Sequence, residues 1–99
     1  MTFAAELYSW AEQYLAGLDT TQLNVAVLPP TEYDNPRSML LVENDVAAVE
    51  MFVWDSGDIE YTCFESGRIS PEHIDVTTTV DLHRTFDRFV EDARRLRLG

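Results

Sequence analysis

The chain has no lysine, a single cysteine, and four glycines that stand apart at positions 17, 57, 67 and 99. Each scarcity removes a class of chemistry. A lone Cys63 excludes an internal disulfide, and its place within a strand pattern reads as a small buried apolar residue. Scattered glycines exclude a Gly-rich phosphate loop, and there is no Gly-x-Ser-x-Gly elbow. The two histidines, His73 and His83, have no neighbour at metal-ligand spacing. His83 reads as a solvated residue in the first turn of a helix, and His73 as a polar group at a strand edge. Acids at Glu43, Asp45, Asp55 and Asp58 lack the order of an EF-hand loop. The pair Asp58 and Glu60 would be solvated on an open sheet face, with no burial to tune an acid or base. No catalytic residue, cofactor or metal is therefore expected, and the chain is not expected to be an enzyme. No apolar run approaches the roughly 20 residues of a membrane span. The start Met-Thr-Phe-Ala-Ala-Glu lacks the basic residues of a signal peptide, so a cytoplasmic location is expected.

What is present is acid. The net charge is −11, and all seven basic residues are arginine. Nucleic-acid backbones and anionic membrane surfaces would be repelled. The distribution is uneven. Residues 1–42 carry five acids and Arg37, residues 43–75 nine acids and Arg68, and residues 76–99 four acids and five arginines. High net charge favours solubility, but the acids concentrate where Phe52 and Trp54 also fall. That coincidence favours a negative face for a positive partner.

The 99 residues are expected to form one domain, 1–99, with enough chain for a core without staples. Phe3, Leu7, Trp10, Tyr14 and Leu18 recur at helical spacing after Thr2, predicting a helix over about 3–17 that stops at Gly17 and buries Trp10. Residues 23–28 alternate with period two and end at Pro29-Pro30; a loop follows to residue 37. Strands are predicted over 38–43, 46–54 and 58–64, separated by Asn44-Asp45 and Asp55-Ser56-Gly57. After the Ser66-Gly67 turn, 73–77 reads as a short fifth strand. A closing helix over about 80–96, capped by Thr79 or Asp81, would bury Leu82, Phe86, Phe89, Val90, Ala93 and Leu96. Arg94, Arg95 and Arg97 suit its C-terminal dipole. The fold class is α+β: a two-layer sandwich, with an antiparallel sheet of four to five strands and the N- and C-terminal helices on one face.

The loop at 55–57 sets the register. With Gly57 in a left-handed position it pairs Val53 with Ile59, Phe52 with Glu60 and Met51 with Tyr61. One face then holds Val49, Met51, Val53, Ile59, Tyr61 and Cys63. The other holds Glu50, Phe52, Trp54, Asp58, Glu60, Thr62 and Phe64, joined by Met39 and Leu41. A two-residue loop would slip the register and mix the faces, so the first register is preferred. An apolar patch with a charged rim marks an interaction site. Partner-binding candidates are Glu50, Phe52, Trp54, Asp55, Asp58 and Glu60. Cover by the C-terminal segment or by a homodimer mate remains an alternative.

The stretch Val53-Trp54-Asp55-Ser56-Gly57-Asp58-Ile59-Glu60, with Ser66-Gly67 and Glu72-His73 after it, resembles a signature of the TriTu family of immunity proteins. The similarity spans about residues 38–92. It implies a small acidic cytoplasmic antidote that binds and neutralises a cognate protein toxin, and it implies no catalysis. A basic toxin cleft fits the acidic face. Three other readings stand beside it: a small acidic secretion chaperone acting as a dimer, an enzyme using the acidic face, and a DNA mimic with carboxylates at phosphate-like spacing.

Overall fold

The computed structural model describes residues 2–99. In chain order the elements are α1 (Phe3–Ala16), β1 (Asn24–Leu28), β2 (Arg37–Glu43), β3 (Ala47–Trp54), β4 (Asp58–Glu65), β5 (Arg68–Asp75) and α2 (Thr79–Arg95). The five strands form one antiparallel meander in the order β1-β2-β3-β4-β5, and both helices cover the same face of it. The expected α+β two-layer sandwich is the observed fold.

The register of the central hairpin is the one that Gly57 predicts: Val53 pairs with Ile59, Phe52 with Glu60 and Met51 with Tyr61. Gly57 has φ +93°, and a Cβ there would run into the carbonyl oxygen of Val76. The covered face of the sheet is fully buried at Leu40, Val42, Val49, Met51, Val53, Ile59 and Tyr61, and it packs on Leu7, Ala11, Leu82, Phe86 and Phe89.

Several expectations are corrected. Val90 is half-buried; the buried stripe of α2 runs instead through Leu82, Thr85, Phe86, Phe89 and Ala93. Cys63 is half-buried beside Asp92 rather than enclosed in apolar surroundings. Trp10 is half-buried rather than buried, because the face of α1 that meets the sheet is centred on Ala4, Leu7 and Ala11. Trp10 instead fills the helix–helix seam, stacked on Phe86 at 4.6 Å and on Tyr14 at 5.1 Å. The fifth strand spans 68–75, not 73–77. It is exposed at nearly every position, so it carries no hydrophobic alternation, and Pro71 is admitted because the strand is a sheet edge. The cap of α2 is Thr78, whose Oγ accepts from the Asp81 amide at 3.1 Å. His83 is not simply solvated; its Nε2 meets Glu6 Oε1 at 2.8 Å and ties α2 to α1.

Distant polar contacts fix the layers together. Ser38 is buried and donates to the Ala4 carbonyl at 2.7 Å. The Tyr61 hydroxyl donates to Asp92 at 2.6 Å. Arg88 forms a two-pronged pair with Glu72 at 2.7 and 2.9 Å, and Arg95 reaches Glu65 at 2.9 Å. Arg88 and Arg95 therefore hold the last helix to the β4–β5 side of the sheet, which extends the dipole explanation expected for Arg95. Beyond α2, Arg97 takes φ 59° and turns the chain so that Leu98 is buried.

Two consequences can be measured by chemical denaturation. Phe86 is fully buried between the helices and the sheet, so Phe86→Ala should cost about 3–5 kcal/mol. Gly57→Val must leave the positive-φ region or displace Val76, and should cost at least about 1–3 kcal/mol. Parent-like stability of either variant would contradict this packing.

Candidate docking face

Strand pairing defines the uncovered face residue by residue. One row crosses all five strands as Leu28, Met39, Phe52, Glu60 and His73. The next row runs through Ala26, Leu41, Glu50, Thr62 and Pro71, and the one after it through Phe64 and Ile69. The face has two halves. Toward β1–β3 it is mainly apolar, with Leu28 exposed and Met39, Leu41, Phe52 and Trp54 half-buried beside Glu43 and Glu50. Toward β4–β5 it is acidic at one end, with Asp58, Glu60 and Asp75 around His73, and apolar at the other, where Phe64 pairs with Ile69.

The nine acids of residues 43–75 are sorted by this register. Glu43, Glu50, Asp58, Glu60 and Asp75 stand on the open face. Glu65 and Glu72 point to the helix side, where Arg95 and Arg88 neutralise them. Hydrogen bonding from Arg88 holds the Glu72 carboxyl below its ordinary range. Asp45 and Asp55 lie in turns.

The partner-binding candidates separate accordingly. Glu50, Phe52, Trp54, Asp58 and Glu60 share the open face. Asp55 does not join them: its Oδ1 accepts from the Ala4 amide at 2.9 Å, so it is spent on the free N–H groups at the start of α1. Phe52 and Trp54 lie with ring centroids 6.2 Å apart. Arg37, which sequence reasoning left unused, lies over both rings, its guanidinium carbon 5.0 Å from the Phe52 centroid and 5.7 Å from that of Trp54. The aromatic patch thus already accommodates a cation from its own chain.

His73 was read as a strand-edge polar group. It is on the edge strand, and it is also the hub of the acidic half. Nδ1 lies 2.9 Å from Glu60, and Nε2 lies 2.9 Å from Asp75 and 3.4 Å from Asp58. Hydrogen bonding to Glu60, then to Asp75, raises the imidazole to about 9, so it is a cation at neutral pH. Asp58 is held from its other side by the Ser56 hydroxyl, the main reason its carboxyl titrates below its usual range. Ser56 is in turn held by the Asn35 side chain at 3.0 and 3.1 Å. Asn35, Trp54, Asp58, Glu60 and His73 together line a shallow cleft of about 240 Å³.

A signal in the sequence points to this cluster. Ser66 and Gly67 both have positive φ, 53° and 79°, as a two-residue hairpin turn requires. Counting back from Glu65 opposite Arg68 puts Glu60 opposite His73 and Asp58 opposite Asp75.

On the helix side, Cys63 is close to Asp92 at 3.7 Å. Burial, reinforced by that carboxylate, pushes its thiol up, which disfavours a reactive thiolate. Among the described residues, no helix is long and apolar enough to cross a membrane. Comparison with family models, with curated proteins and with solved structures gives no match.

The His73 cluster has a definite pH signature. A raised pKa means that the stabilisation is complete below the ordinary value of 6.5 and is lost as pH rises through about 9. The imidazole signals of His73 should titrate near 9 by NMR. Glu60→Gln should move that midpoint down. A midpoint at the ordinary histidine value in the parent would show that these contacts do not form in solution.

Proposed function

We propose that this chain is an immunity protein of the TriTu type, a cytoplasmic, non-enzymatic antidote that binds a cognate basic toxin through the open face of its sheet. The observation that carries the reading is the pairing of halves on that face. Half-buried Phe52 and Trp54 lie beside Leu41 and Met39, and Glu50, Asp58 and Glu60 flank them with nothing from either helix above. Aromatic side chains supply the water-excluded centre of an interface, and surrounding charge supplies orientation and speed. The cation already lying over Phe52 and Trp54 indicates the chemistry that suits these rings: an arginine or lysine of the toxin replaces or extends Arg37 there.

The test uses the product of the neighbouring gene. Trp54→Ala should weaken binding about 30-fold, equivalent to ~2 kcal/mol. Glu50 stands on this face opposite Thr62 and makes no ion pair among the described residues, so Glu50→Lys should mainly slow association, as should added salt. Both variants should keep the parent fold and lose protection of cells that express the toxin. If both bind and protect like the parent, the toxin meets another surface.

A further inference from the structure

We propose that His73, Asp58 and Asp75 form a site for one divalent transition-metal ion of the Zn²⁺, Co²⁺ or Ni²⁺ class, with Glu60 orienting the imidazole. The three groups each offer one ligand atom, and these atoms lie within 4.8 Å of one another. Nε2 is 2.9 Å from Asp75 Oδ1 and 3.4 Å from Asp58 Oδ1. A tetrahedral ion with bonds of about 2.0–2.1 Å sets its ligand atoms about 3.3 Å apart, so these two separations bracket what the ion requires.

The surroundings match a ligand set. Glu60 engages Nδ1 at 2.9 Å, which leaves Nε2 as the ligating nitrogen. A carboxylate behind a ligating histidine is the usual outer support of such sites. Asp58 is fixed through its second oxygen by Ser56, and Ser56 by Asn35, so Oδ1 stays turned toward His73. Asp58 and Asp75 are direct cross-strand partners on one face, and like charges so placed repel unless a cation lies between them. An ion bound at Nε2 would place its positive charge between the two carboxylates, and any proton held at Nε2 would pass to solvent. The imidazole nitrogen selects zinc, cobalt or nickel over Ca²⁺ and Mg²⁺, which prefer all-oxygen sets. With three protein ligands, the fourth position is left to water.

The isolated chain suffices for the test, which is independent of any toxin. Zn²⁺ is titrated into the parent by calorimetry, and the histidine side-chain signals are followed by NMR. One ion per chain is expected, with shifts at His73 and none at His83. His73→Ala should abolish saturable binding, and Glu60→Gln should weaken it by about 10-fold or more. Mg²⁺ and Ca²⁺ should leave the His73 signals in place. The variants alter only exposed side chains, and their thermal unfolding confirms that each remains folded. The absence of saturable Zn²⁺ binding to the parent would overturn the site. Undiminished binding by His73→Ala would do the same, by placing the ion at Glu6–His83 or Cys63–Asp92.

Discussion

Between Trp54 and Asp58 the chain must reverse within three residues, and the last of them has φ +93° with the Val76 carbonyl where a side chain would start. That constraint fixes the pairing of β3 with β4, and so fixes which side of the sheet each residue faces. A slip of one position would set Glu60 against Val53, so that either Glu60 comes under the helices while Ile59 and Tyr61 turn out, or Glu50 and Phe52 come under them while Met51 and Val53 turn out. Burying unpaired carboxylates is far more costly than burying Val, Met and Tyr is favourable, so the alternative register has no route to a core. The same turn also sets the start of the first helix. Asp55 reaches the Ala4 amide, and Ser38, opposite Val53, reaches the Ala4 carbonyl. One hairpin thus orients the sheet and docks α1 on it.

The two faces solve the problem of net charge differently. On the helix side, acids meet arginines: Glu72 pairs with Arg88 and Glu65 with Arg95, and Asp92 lies near both arginines. Exposed pairs of this kind contribute little each, but they offset charge along the seam between α2 and the outer strands. On the open side there are five acids against Arg37 and His73, and Arg37 is engaged with the aromatic rings rather than with a carboxylate. The excess negative charge is therefore carried by the face that no other part of the described chain covers.

What the sequence made legible was whatever obeys a short period. Alternation in residues 38–43, 46–54 and 58–64 placed β2 to β4 and their faces, and the stripe through Phe86 and Phe89 placed α2. Gly57 could be read because only one kind of residue suits its conformation. The extent of β5 was not legible, because an edge strand with both faces wet has no pattern to follow. Trp10 misled because size was read as depth: small Ala4 and Ala11 let α1 approach the sheet closely and leave the large ring in the seam. The Asp55 contact joins residues 51 apart, and no local rule addresses it. The His73 cluster lies between these cases, since the Ser66-Gly67 turn encodes its register but its charge balance emerges only once four side chains meet.

The placement of the acids also bears on what could bind there. A mimic of a nucleic-acid backbone needs charges at an even repeat, because phosphates follow one another at fixed rise. Here Asp58 and Asp75 stand directly opposite each other, whereas Glu50 stands alone between Leu41 and Thr62. The spacing is uneven, and apolar residues interrupt it. Pairing two copies through this face would bring their acids together in a chain of net charge −11, with only Arg37 and His73 in opposition. A partner that presents an apolar surface beside arginine or lysine meets neither obstacle. Its apolar part would cover Leu41, Phe52 and Trp54, while its cations would approach a sheet face on which, among the described residues, carboxylates outnumber their counter-charges.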